Sequence, residues 1–191
     1  MTRQEAMELL KEYTKRENLI QHALGVEAAM SAYARHYGED VEAWRAVGLL
    51  HDFDYEAFPT EEEHPWRGAD ILRERGVREE WVRAILGHAD YTGVPRDSLM
   101  ARVLYAVDEL TGFILASALV RPSRSLDDLS AKSVKKKLKD KRFAAAVSRE
   151  GIRQGARELG VDLDEHIGFV IEAMRPVQED LGLKRADEGN H

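Results

Sequence analysis

The sequence predicts an all-α protein, a helical bundle with additional C-terminal helices. Three observations lead there. Apolar residues recur at helical spacing in nearly every segment, glycines and prolines stand where those segments stop, and no run of β-branched alternation is long enough for a strand. At 191 residues, with 43% hydrophobic and 33% charged composition, the chain suits one soluble domain with a sizeable core.

The expected helices begin with Thr2–Glu12, Leu19–Tyr37 (ended by Gly38), Val41–Asp54, His64–Arg75 (ended by Gly76) and Glu79–Ala89. They continue with Ser98–Val120 (stopped by Pro122), Asp127–Lys139, Arg142–Leu159 (ended by Gly160) and Asp164–Leu181 (ended by Gly182). Residues 1–120 are expected to form the core, with residues 121–191 packing on it in the same domain. Val103–Val120 is apolar nearly all round yet carries Asp108 and Glu109, so it fits a central core helix better than a membrane span. Ser125 and Asp128 read as a capping box for the helix after them. The tail from Lys184 onward reads as frayed.

Composition excludes several classes of function. Without cysteine there is neither a disulfide scaffold nor a thiolate metal site, so any metal must be held by nitrogen and oxygen. A net charge of −7 argues against general nucleic-acid binding. The charged start has no apolar signal segment, which together with the missing cysteines points to a cytoplasmic protein.

The ionisable residues on apolar faces carry the chemistry. His22 shares its stripe with Gly25, Val26 and Ala29; His51 follows Trp44, Val47 and Gly48, with Asp52 beside it; His88 follows Trp81, Ala84 and Ile85. Asp108 shares a face with Leu104, Tyr105, Thr111 and Leu115, where an unpaired carboxylate is unfavourable. His64 stands before Pro65 near the mouth of any site these helices surround. One inward histidine is ordinarily a hydrogen-bonded core residue, but carboxylates and imidazoles converging from separate helices describe a cage for a divalent cation.

The ordered set of His22, the doublet His51-Asp52 in LLHDFD, and Asp108 in YAVDEL resembles the HD-domain superfamily of metal-dependent phosphohydrolases. The resemblance covers about the first 120 residues. It implies an all-α fold in which these four residues hold a divalent metal, with Asp52 able to bridge to a second. His64 in EEHPWRGADIL and His88 in ILGHADYTG resemble the extra histidines of the dinuclear branch, although that branch often has consecutive histidines where this chain has His88-Ala89-Asp90. One or two ions are implied, of Mn, Fe, Co, Ni, Mg or Zn.

The expected activity is hydrolysis of a phosphoester, with hydroxide generated at the metal attacking phosphorus. A small phosphorylated substrate is implied, a nucleotide being the family's commonest theme. Asp54 and Asp90 are candidates to orient water or protonate the leaving oxygen. Many family members have a lysine three residues after the doublet's aspartate, whereas this chain has Tyr55, a hydrogen-bond donor without charge. Phosphate-binding cations are therefore sought in the basic run from Lys132 to Arg142, above all Lys135, Lys136 and Lys139. Two other readings share the fold: a metal-dependent binding module without catalysis, and a dinuclear iron oxygenase.

Overall fold

A computed structural model describes residues 1–185. The expectation of a frayed tail falls mostly on residues 186–191, outside the described residues. Among the described residues the regular structure is helical throughout: α1 Arg3–Tyr13, α2 Glu17–Tyr37, α3 Val41–Leu50, α4 Trp66–Glu74, α5 Glu79–Leu86, α6 Leu99–Leu119, α7 Ala131–Lys137, α8 Arg149–Leu159 and α9 Leu163–Met174. Short 3₁₀ turns occupy Asp90–Thr92 and Arg175–Val177.

Local chemistry sets most boundaries. Thr2 and Glu5 form a reciprocal capping box on α1, Asp40 accepts from the first amides of α3, and Gly38 and Gly160 end α2 and α8 in the left-handed conformation. α6 is the central helix, with Val103, Leu104, Ala106, Val107, Leu110, Phe113 and Ile114 fully buried. α2 and α5 pack on it, and α8 and α9 cover it from the C-terminal side. No helix among the described residues is long and apolar enough to cross a membrane.

Two glycines bring backbones together and so place the site. A Cβ at Gly48 of α3 would lie 3.0 Å from Glu27 Cα on α2, and one at Gly155 of α8 would lie 2.6 Å from Ala106 Cα on α6. Any side chain there would push apart helices that carry His22, His51 and Asp108.

The largest differences from the sequence reading lie at four boundaries, two set by tertiary bonds and two by local ones. α3 stops at Leu50 instead of Asp54 because the chain turns inward: the Thr14 hydroxyl donates to Phe53 O at 2.9 Å, and Asp54 is engaged by groups beyond residue 60. Ser125 and Asp128 form no capping box. The Ser125 hydroxyl donates to Gln178 Oε1 at 3.1 Å, Asp128 pairs with Arg121, and α7 starts later under a box made by Ser130 and Ser133. α8 begins at Arg149, capped by Ser148, because Arg149 donates to the carbonyls of Asp140, Phe143, Ala144 and Val147 and gathers those residues into turns. α9 ends at Met174 because Pro176 has no N–H to continue it.

Candidate metal centre

Six side chains converge from five places in the chain. His22 lies on α2, His51 caps the C-terminus of α3 with Asp52 next to it, His64 precedes α4, His88 follows α5, and Asp108 lies midway along α6. They form two triads, His22–His51–Asp108 and Asp52–His64–His88, each with one donor atom per residue inside a 4.8 Å span.

In the first triad His22 Nε2 lies 3.0 Å from Asp108 Oδ1 and 3.2 Å from His51 Nε2, while His51 Nε2 is 3.4 Å from Asp108 Oδ1. In the second, Asp52 Oδ1 is 3.2 Å from His64 Nε2 and 3.1 Å from His88 Nε2. Asp52 Oδ2 faces back toward His51 Nε2 at 3.6 Å. One carboxylate therefore joins the triads, an oxygen to each.

The acceptors around the rings set their tautomers. His51 Nδ1–H donates to Gly48 O at 2.8 Å, His88 Nδ1–H to Ile85 O at 2.5 Å, and His64 Nδ1–H to Asp54 Oδ1 at 2.8 Å. In neutral rings that leaves each Nε2 as a lone pair aimed at a carboxylate oxygen or another imidazole. Facing acceptors repel unless a cation lies among them. An ion bound at about 2.1 Å sets neighbouring donors about 3.0 Å apart in octahedral and about 3.4 Å apart in tetrahedral coordination, and the separations here fall in that range. The donor set, nitrogen and oxygen only, suits a borderline or hard divalent ion.

Without an ion, protons take its electrostatic place. Burial works against charge on His51 and His88, but Asp52 and Asp108 outweigh it and hold both rings above the ordinary imidazole range. His64, also opposed by burial, is lifted to about 9 by Asp52 and Asp54. Burial opposes charge on Asp52 and Asp108 too, yet the facing histidines keep both carboxyls below their usual range.

Asp54 and Asp90, read from sequence as acid–base candidates, have their oxygens occupied. Asp54 is 1% exposed; Oδ1 accepts from His64 and Oδ2 accepts from Gly68 N at 2.7 Å. It orients the His64 ring, and a Cβ at Gly68 would lie only 2.7 Å from its Cγ. Asp90 accepts from the Tyr105 hydroxyl at 2.9 Å and from Arg96 at 3.0 Å; Arg96 also lies over the Tyr105 ring and pairs with Glu158. That network ties the loop after α5 to α6 and α8.

Tyr55 is exposed, its ring edge-on to His64 at 5.3 Å. Lys135 pairs with Asp164 of α9 at 2.8 Å, and Lys137 lies over Phe143. Lys136 and Lys139 are exposed, and no contact joins either to the two triads among the described residues. Val134 and Leu138 form the apolar edge that seats α7.

Three features escaped the sequence reading. The Tyr91 hydroxyl donates to His64 O at 2.9 Å, and burial with nearby carboxylates pushes that phenol up to about 12. Glu109, beside Asp108, accepts from Ser148 N at 3.0 Å, and burial followed by Asp108 raises its carboxyl. The backbone carbonyls that orient His51 and His88 carry no sequence signal. His166, by contrast, is a core histidine. It accepts from the Tyr33 hydroxyl at 2.6 Å and donates to Ala106 O at 2.9 Å.

Comparison with known proteins places this geometry. Residues 19–112 match the family model described as HD domain, a span containing all six side chains. The chain is 31% identical over 100 residues to ribonuclease Y of Nitratidesulfovibrio vulgaris strain DP4, and 31% identical over 100 residues to ribonuclease Y of Lawsonia intracellularis strain PHE/MN1-00. Each alignment covers 50% of this chain and 18% of the relative, so the likeness is confined to a small part of those proteins. No solved structure matches the chain.

Proposed function

We propose that this chain, which belongs to the HD-domain superfamily, is a metal-dependent phosphohydrolase that cleaves a phosphoester of a nucleotide or related small phosphorylated molecule. The observation that carries the reading is Asp52, whose two oxygens face separate triads of nitrogen and oxygen donors. His22, His51 and Asp108 would hold one ion, His64 and His88 a second, with Asp52 between them. Bound divalent cations supply Lewis acidity toward a phosphoryl oxygen and a nucleophile active near neutral pH.

The chain's own residues do the rest. Gly48 O and Ile85 O fix the rings of His51 and His88 so that Nε2 faces inward, and Asp54 does the same for His64. Tyr55, beside His64 and open to solvent, is assigned as a hydrogen-bond donor to a phosphate oxygen, a role its contact with His64 supports. Glu109, whose carboxyl is raised by burial and by Asp108, accepts from Ser148 N and so joins α6 to the start of α8 beside the site. Lys136 and Lys139, exposed and without a side-chain partner among the described residues, are assigned to the approach of the anionic substrate.

The matched relatives are ribonucleases by name, which puts RNA phosphodiesters among the substrates to test beside mononucleotides. The net charge of −7 favours the smaller anions. A panel of mononucleotides, sugar phosphates, cyclic nucleotides and short RNA, assayed with manganese, nickel, cobalt and iron, tests the proposal. Metal-dependent release of phosphate, or cleavage of a phosphodiester, supports it. Oxygen consumption by the iron-loaded protein without phosphoester cleavage supports the oxygenase reading instead.

A further inference from the structure

We infer that a cavity on the side of α2 away from the two triads binds a small phosphate-bearing anion. The cavity has a volume of about 280 Å³ and is lined by Arg3 of α1, Arg35 of α2 and Arg45 of α3 together with Glu27, Ser31 and Asp180, the rest of its wall being apolar. At about 100° per residue, Ser31 and Arg35 stand about 180° and about 220° round α2 from His22. The cavity is thus separate from the proposed reaction site, and the inference does not rest on that reading.

The arginines are ordered in different ways. Glu27, 5% exposed, accepts from Arg3 Nε at 2.5 Å, Arg3 Nη2 at 3.0 Å and Arg45 Nε at 2.9 Å. Arg45 Nη1 also donates to Glu42 at 3.0 Å. The carboxylates thus fix both guanidiniums while leaving Arg3 Nη1 and Arg45 Nη2 without acceptors among the described residues. The Arg35 side chain has no hydrogen bond or ion pair among the described residues, so its whole fork is available.

N–H donors from three helices therefore border one concavity and outnumber the acceptor there, the Asp180 carboxylate, which acts on Arg3 through charge without a hydrogen bond among the described residues. Planar guanidinium forks match the oxygens of phosphate, and prior fixing of two of them lowers the entropy lost on binding. A volume just under the usual range of about 300–1,000 Å³ for ligand pockets selects an anion between inorganic phosphate and a sugar phosphate in size.

The test is a titration of ¹⁵N-labelled, magnesium-loaded full-length protein with inorganic phosphate, followed by amide and arginine Nε–H resonances. Saturable shifts at Ser31, Arg35 and the side chains of Arg3 and Arg45 are expected, distinguishable from shifts around His51 and Asp108. Arg35→Gln should weaken the cavity response about tenfold or more while the response at the metal triads stays within about twofold. Arg35 is exposed and unpaired, and unchanged resonances elsewhere would show the variant folded. Arg3→Gln supplies a second variant with the same expectation. Absence of saturable shifts in the cavity, an unchanged affinity in both variants, or saturation by citrate but not by phosphate would overturn the inference.

Discussion

Replacing Gly68 with alanine puts a methyl group where Asp54 now sits. The new Cβ would lie 2.7 Å from Asp54 Cγ, 2.8 Å from Oδ2 and 3.0 Å from Oδ1. Carbon atoms rest about 3.5 Å apart or more, so the carboxylate must retreat by roughly 0.8 Å. The bonds from Gly68 N at 2.7 Å and from His64 Nδ1 at 2.8 Å then approach the limit of useful geometry. Overpacking at a buried site costs about 1–3 kcal/mol of stability. Loss of the orienting partner of a metal-binding histidine costs about 10–100-fold in affinity. Asp54→Asn tests the same link without added volume, because the amide oxygen can accept from one of the two donors while its NH₂ faces the other. Chelator competition fitted to two sites should show the ion at His64 and His88 weakened about 10–100-fold in both variants. The ion at His22, His51 and Asp108 should change by no more than about threefold, within ordinary context effects on distant sites. Two-site binding of wild-type strength in both variants would refute the positioning role of Asp54.

Other consequences can be checked with the same protein. His51→Ala and Asp52→Ala should each strip metal from purified protein, read by elemental analysis; full retention in both would remove the site as drawn. In the metal-free protein, raised imidazole pKa values stabilise the fold below pH 6.5 and that stability is lost as pH rises toward about 9, the value for His64. The melting temperature without metal should therefore fall across that window while the increment from added metal grows, because ions replace those protons; a flat or opposite trend would contradict the electrostatics. Neutralising Lys136 and Lys139 together should raise KM for a phosphate substrate about threefold or more, with metal content intact and a weaker response to salt. An unchanged KM would make the basic run solvated surface.

How much was legible in the sequence follows from how local each cause is. Gly38 and Gly160 end helices through their own conformation, and the apolar stripes beside His22, His51 and His88 place those rings inward, so both were readable in one dimension. The end of α3 was not. Helical periodicity runs on to Asp54, and what bends the chain after Leu50 is Thr14 on Phe53 O together with His64 and Gly68 on Asp54, groups distant in sequence. The same distance hid the roles of carboxylates. Asp54 and Asp90 look like free acids until Gly68, His64, Arg96 and Tyr105 are found on their oxygens. Glu109 looked like one more charge on α6 until burial and Asp108 set it apart.

The most direct measurement is anomalous scattering from crystals grown with manganese and inorganic phosphate. The account predicts two peaks, one within His22–His51–Asp108 and one within Asp52–His64–His88, both in reach of Asp52, with phosphate oxygens completing the coordination. An absence of metal in either triad, or a site closed by protein ligands alone with phosphate bound elsewhere, would contradict it.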